Sequence, residues 1–201
     1  MYINKSIKIY LDDLAAKKPA PGGGSAAALS ASIGVSLMLM AANYTSGNSK
    51  YKDCEEKVVD ILVKCENYKS QLEELIDEDI EAYERLDAAI KESGKDEGKL
   101  ARFYKEAVVP PFDTCKISAE CLKLCKVLAR CGNKKLITDI AIATILLEGA
   151  FFSAKFNVYI NLKYIKDMDY VGGVHEVLAP LEGELPALKE EILEMCEEVI
   201  G

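Results

Sequence analysis

Two interleaved series of residues, each repeating at every seventh position, run through the first half of the chain. Val58, Cys65, Leu72 and Leu86 belong to one, with Asp79 where the next apolar residue is due; Ile61, Tyr68, Leu75, Ala82 and Ala89 make the other. Offsets of three and four residues between the series place both on one stripe of a long helix, from about Asp53 to Ser93, facing the core of a bundle. A carboxylate turned inward at 79 must be hydrogen-bonded, paired or protonated. Asp77 and Glu78 fall off the stripe and are expected in solvent. By pattern alone, leucine at 79 would complete the seam and stabilise the bundle.

The rest of the chain reads the same way. Ser6 opens a short amphipathic helix with Ile7, Tyr10, Leu11 and Leu14 on one side, closed by Lys17 and Lys18. Ala26 to Tyr44 is uncharged and rich in Ala, Ser and Gly. A bilayer span needs roughly 20 apolar residues, but Ala28, Ser32 and Ser36 at helical spacing suit close packing against another helix instead. Gly94 is expected to end the long helix, with Lys95–Gly98 as a charged link. The next helix, from about Lys99, is expected to kink or break at Pro110-Pro111, which lack backbone donors, and to resume through Cys131 until Gly132-Asn133 stops it. From Thr138 to about Lys166 the chain is again apolar, with Asp139, Ala143, Leu146, Ala150, Ser153, Asn157 and Asn161 close to one line. The tail, punctuated by Gly172-Gly173 and Pro186, reads as two short helices. With no alternating strand pattern and no repeat, residues 1–201 are expected to form a single-domain, all-α bundle of long antiparallel helices.

Composition narrows the partners. Half of the 201 residues are hydrophobic and 29% charged, sufficient for one domain with a core. A net charge of −8 and a pI near 4.9 argue against nucleic acid and against an anionic membrane surface. Seven cysteines without a Cys-x-x-Cys pair, and a single histidine, His175, offer no local metal cluster. They read as reduced thiols of a cytoplasmic protein. Cys121, Cys125 and Cys131, near helical spacing, are expected as small buried hydrophobes, and His175 as a surface or capping residue.

The stretch Pro21-Gly22-Gly23-Gly24-Ser25 adds candidate chemistry. A helix opening there presents free amides and a positive dipole end, suited to an anion, while a plain helix entry capped by Ser25 explains the same residues. No Gly-Lys-Ser/Thr follows and no strand precedes, so neither a P-loop nor a dinucleotide fingerprint applies.

Five separated stretches carry a likeness. They are Pro19–Ala28 with the three glycines; Asn43-Tyr44-Thr45-Ser46-Gly47; Asp77-Glu78-Asp79 with Ala82-Tyr83; Gly132-Asn133 with Thr138-Asp139; and Asn157-Val158-Tyr159-Ile160-Asn161. In this order they resemble the formimidoyltetrahydrofolate cyclodeaminase / methenyltetrahydrofolate cyclohydrolase family over nearly the whole chain. That resemblance implies a dimeric helical protein acting on the one-carbon bridge of tetrahydrofolate, without metal or organic cofactor. Its cyclohydrolases open methenyltetrahydrofolate with water, and its cyclodeaminases close the formimidoyl group with loss of ammonia. The first activity is the expectation here, the second its alternative, and a silent folate-binding scaffold the third.

Matched to the family pattern, Asp79 and Asp139 are expected as general base and proton-donating or orienting partner, in either order. Gly22, Gly23, Gly24, Ser25, Asn43, Thr45, Thr138, Asn157 and Asn161 are expected to hold the substrate. Where the family commonly has a lysine-rich run after Gly47, this chain has only Lys50 to meet folate's glutamate carboxylates. Phe152 stands where many relatives carry arginine, and Thr138 where serine is usual. Uncharged faces on the helices from Ala26 and Thr138 lead to the expectation of a homodimer.

Overall fold

The computed structural model describes residues 1–93 and 97–201. Among the described residues six α-helices follow one another: α1 Ile7–Leu14, α2 Gly23–Asn43, α3 Glu55–Ser93, α4 Glu97–Cys131, α5 Ile137–Leu162 and α6 Met168–Ile200. Three short 3-10 turns supplement them, and the described residues contain no strand. The all-α expectation is met.

The two seven-residue series do what their spacing dictates. Val58, Cys65, Leu72 and Leu86 of α3 are buried, as are Ile61, Leu75, Ala82 and Ala89. Opposite them lie α2 and α4, each antiparallel to α3. Ser25 at the start of α2 meets Asp79 late in α3, and Ser46 just beyond α2 meets Glu55 at the start of α3. α5 returns antiparallel to both α2 and α4. A Cβ on Gly34 would stand 3.0 Å from Leu147, so glycine there lets α2 and α5 approach closely. Small residues Ala27, Ala28, Ala31 and Ala42 line the same buried side of α2. α6 closes the bundle against α5 and α4, through Lys155–Glu182 and Lys126–Glu191.

Several expectations change. Pro110 and Pro111 do not break the fourth helix, which runs from Glu97 to Cys131 as one element. The carbonyl that Pro111 leaves without a helical donor, that of Ala107, accepts a hydrogen bond from Asn161 Nδ2 at 3.0 Å instead. The tail is likewise one helix, not two. Leu178, Leu185 and Ile192, seven residues apart, are all buried, and this packing overrides the weak propensity of Gly172-Gly173 and Pro186. On α1 only Tyr10 is buried, while Ile7 and Leu11 face solvent. Asp77, expected in solvent, is buried and accepts the backbone amides of Tyr2 and Ile3, which strap the N-terminal segment to α3. Gly94 and Lys95, expected as a helix end and the start of a link, lie outside the described residues. Gly98, placed in that link, lies within α4.

Candidate active site

Where α2 begins, α3 and α5 approach their C-terminal ends and α4 presents Ala107, a cavity of about 270 Å³ opens. Pro19, Ala20 and Gly22–Gly24 form one wall; Asp79 and Tyr83 come from α3, and Asn157, Ile160 and Asn161 from α5. Asp79 is the one charged residue among those lining it.

The first turn of α2 explains how that carboxylate is held. Its N-cap is Gly22, which has no side chain to accept a hydrogen bond from the turn above. Asp79 Oδ2 supplies the acceptor from another helix, taking the Ser25 amide at 2.8 Å. Room for it depends on Gly24. A Cβ there would fall within 2.7 Å of Asp79 Oδ2 and nearer still to Oδ1, so only glycine lets the carboxyl sit against the helix end. A Cβ on Gly23 would meet Asn157 at an ordinary 3.4 Å, and one on Gly22 would meet nothing. Ser25 is thus not the cap expected from sequence. Its buried hydroxyl lies 3.1 Å from Tyr10 Oη on α1, and its backbone amide serves the site.

Two influences oppose each other at Asp79. Burial disfavours the charged carboxylate and raises its pKa from 3.8 to about 6, while the Ser25 amide, which stabilises the anion, holds it down. Such a group is mostly ionised at pH 7 and still gains or loses a proton readily, the condition for general acid–base work.

The asparagines are partly committed to the fold. Asn161 Nδ2 donates to the Ala107 and Asn157 carbonyls, and Asn157 Nδ2 to the Ser153 carbonyl. No hydrogen bond within the described residues engages Oδ1 of either. Tyr83, 46% exposed on the cavity wall, was not among the expected site residues. Its position one turn beyond Asp79 on the same helix was the available signal.

The remaining candidates lie elsewhere. α2 spans 21 residues, about 30 Å at helical rise, and Asn43, Thr45 and Lys50 belong to its far end. Asn43 and Lys50 are exposed. Thr45 is fully buried; its hydroxyl donates to the Ala41 carbonyl and accepts the Asn133 amide, joining α2 to the turn before α5. Thr138 and Asp139 begin α5; Asp139 lies eighteen residues before Asn157 and so about 27 Å away. Within one chain, therefore, Asp139 is no partner for Asp79, and Lys50 is remote from the cavity. Beside Phe152, Lys155 sets its ammonium 4.8 Å from the ring centroid.

The fold and cavity define a class: an all-helical protein with a carboxylate of raised pKa held at a helix N-terminus in a glycine-walled pocket. The chain belongs to the formiminotransferase-cyclodeaminase family, whose model matches residues 6–179. It is 33% identical to a methenyltetrahydrofolate cyclohydrolase of Methylorubrum extorquens over 95% of both chains. It is 28% identical to the formimidoyltransferase-cyclodeaminase of Rattus norvegicus, matching over 82% of its own length but only 32% of that larger protein. In structure it resembles the formiminotetrahydrofolate cyclodeaminase of Thermotoga maritima, with a TM-score of 0.92, 29% identity and full coverage of both chains.

Proposed function

We propose that this protein hydrolyses methenyltetrahydrofolate to formyltetrahydrofolate, with Asp79 as its proton carrier. The observation that supports it most directly is the lone, desolvated Asp79 carboxyl in a cavity otherwise lined by uncharged residues. The Methylorubrum extorquens relative, a methenyltetrahydrofolate cyclohydrolase matching over nearly its whole length, points to the substrate. Water adds to the bridging carbon, and Asp79 takes its proton as the C–O bond forms. The tetrahedral carbon then collapses: its hydroxyl loses the second proton to solvent as the C=O bond forms, one C–N bond breaks, and the same carboxyl returns its proton to the departing nitrogen. One group with a pKa of about 6 can do both, so no second carboxylate from the same chain is needed. Asn157 and Asn161 offer their free oxygens to the pterin, and Gly22 and Gly23 their backbone. Substrate and water suffice without a further cofactor.

Cyclodeamination is the second reading, favoured by the Thermotoga maritima structure. There Asp79 would deprotonate the attacking arylamine nitrogen and protonate departing ammonia. Incubation with methenyltetrahydrofolate and, separately, formimidoyltetrahydrofolate distinguishes them by the near-ultraviolet band of the methenyl form. Decay with the first supports hydrolysis, and a rise with the second supports cyclodeamination. Silence with both leaves a folate-binding scaffold.

The protein also works as a homodimer in this reading. α2 and residues 134–162 are each long and apolar enough to cross a bilayer, yet 61% and 39% of their apolar windows are already buried in the bundle. On α5 the uncovered residues Ile142, Ile145, Gly149, Phe156 and Ile160 follow three-, four- and seven-residue spacing, with Ile145 at 53% and Phe156 at 70% exposure. A second copy fits better than lipid, because Asp139, Glu148 and Lys155 punctuate the same helix. Antiparallel pairing about Gly149 would set Ile142 against the partner's Phe156. It would also carry the partner's Thr138 and Asp139 towards Asn157 and Ile160, uniting candidates that one chain keeps apart.

A further inference from the structure

Outside the cavity, one buried polar contact leads directly to it. Tyr10 is 5% exposed and is the one buried residue of α1, with Leu14 packing partly against the core. Its ring packs edge-on against Tyr2, with centroids 5.8 Å apart, and its hydroxyl meets Ser25 Oγ at 3.1 Å. Ser25 is fully buried, and those two hydroxyls are each other's only side-chain partners among the described residues. The next backbone group along is the Ser25 amide, which holds Asp79.

The N-terminal segment is itself tied to the same helix as Asp79. Asp77, two residues earlier on α3, accepts the amides of Tyr2 and Ile3. Tyr2 also donates its hydroxyl to Asp13, beyond Tyr10 on α1. The segment from Tyr2 to Asp13 is thus anchored at both sides of Tyr10, which keeps that ring in place under the first turn of α2. With Gly22 as its cap and glycines at its first two positions, that turn has no side chain of its own to stiffen it until Ser25.

We propose that Tyr10 is a positioning residue for Asp79: through Ser25 Oγ it fixes the first turn of α2, so that the Ser25 amide stays aimed at the carboxylate. Tyr10 touches neither the cavity nor a substrate within it. The proposal rests on Asp79 being the proton carrier. Its consequence has a definite sign. An amide donating to the anion lowers a carboxyl pKa, so loosening the turn weakens that bond and lets burial raise the pKa further. Groups that could confuse the reading are few: Tyr10 itself, from α1, lies near enough for the Asp79 charge to help raise its pKa after burial does, Tyr83 faces the cavity from α3, and the residues lining it from α2, α4 and α5 are glycines, Ala107, Asn157, Ile160 and Asn161, all uncharged.

The test is a carboxyl titration by carbon NMR on aspartate-labelled protein, with Asp79→Asn identifying the Asp79 resonance, alongside pH–rate profiles for methenyltetrahydrofolate. Tyr10→Phe keeps the ring and removes only the hydroxyl. It should raise the Asp79 pKa and move the acid limb of the rate profile upward by the same amount. At pH 6 kcat should drop several-fold with KM little changed. Ser25→Ala should shift the titration in the same direction, and the double variant no further than the larger single change. A Tyr10→Phe titration that superimposes on wild type overturns the proposal, even if the variant melts earlier, since a purely structural role would lower stability and leave the carboxyl alone. Full turnover by Asp79→Asn overturns both this proposal and the reading of Asp79. An inactive Asp79→Asn with an unshifted Tyr10→Phe overturns this one alone.

Discussion

Asn161 Nδ2 donates to the Ala107 carbonyl at 3.0 Å, and Ala107 is the residue whose carbonyl Pro111 cannot reach. The contact converts a proline that should break α4 into one the helix accommodates, and brings α5 to the cavity edge in the process. Asn161→Ala should leave that carbonyl unsatisfied and cost about 1–3 kcal/mol in urea unfolding. Pro111→Ala restores a backbone donor to the same carbonyl, so the asparagine should matter less in that background. A double-mutant cycle should give a coupling of about 1 kcal/mol or more. Additive effects would show that Asn161 does not compensate for the proline.

Asp79 was legible because one carboxylate interrupts an otherwise apolar seven-residue series, and the all-α fold because long periodic stretches need no tertiary information. The continuity of α4 and α6 was hidden for the opposite reason. Pro111 is rescued by Asn161, fifty residues away, and Gly172-Gly173 by the buried positions of Leu178, Leu185 and Ile192. The site set was half legible: resemblance gathered residues by pattern, and pattern cannot say that Asn43, Lys50 and Asp139 sit at the other end of the α2–α5 pair. Thr45 matches the pattern, but the fold consumes its hydroxyl in joining Ala41 to Asn133. Asp77 looked solvated because its partners, the amides of Tyr2 and Ile3, carry no side-chain signature.

The three glycines should respond unequally to the same added methyl. At Gly24 a Cβ collides with the Asp79 carboxyl, which would have to leave the helix end, so Gly24→Ala should reduce turnover at least as severely as losing the carboxylate. Gly23→Ala, in ordinary contact with Asn157, should chiefly weaken substrate binding. Gly22→Ala, facing open space, should do least. Steady-state kinetics on the three variants checks the order, and a tolerant Gly24 would mean that Asp79 need not occupy its observed position.

Ile145 and Phe156 should mark the dimer contact. Light scattering at micromolar concentration should give twice the 22.1 kDa chain mass. Phe156→Glu should return it to a monomer, since placing charge in an apolar interface carries a large desolvation penalty. Loss of activity in that monomer, with its helicity intact, would agree with a site that needs the partner's α5. A wild-type monomer would remove the dimer and leave Asp139 without a place in the mechanism.

Asp79 sets a measurable trade between stability and chemistry. Its folded-state pKa, about 6, lies above the unfolded value of 3.8, so the native state binds the proton more tightly. The stability this provides is fully present below pH 4 and is lost as pH rises through 6. A displacement of about two units corresponds to something on the order of 3 kcal/mol. Asp79→Asn does not titrate and can still accept the Ser25 amide. It should therefore match wild type near pH 4 and exceed it in unfolding free energy by up to that amount at pH 7.5. Its turnover should fall roughly 10²–10⁴-fold, the usual worth of a general acid–base group. Asp79→Leu, which the apolar series alone would favour, should not share the gain. It removes the acceptor of the buried Ser25 amide and crowds Gly24, and the stranded donor costs about 1–3 kcal/mol. Chemical denaturation of the three proteins at pH 4.5 and 7.5 decides the matter. An asparagine variant whose advantage does not grow with pH would mean that Asp79 is not desolvated, and near-normal turnover would end its catalytic role.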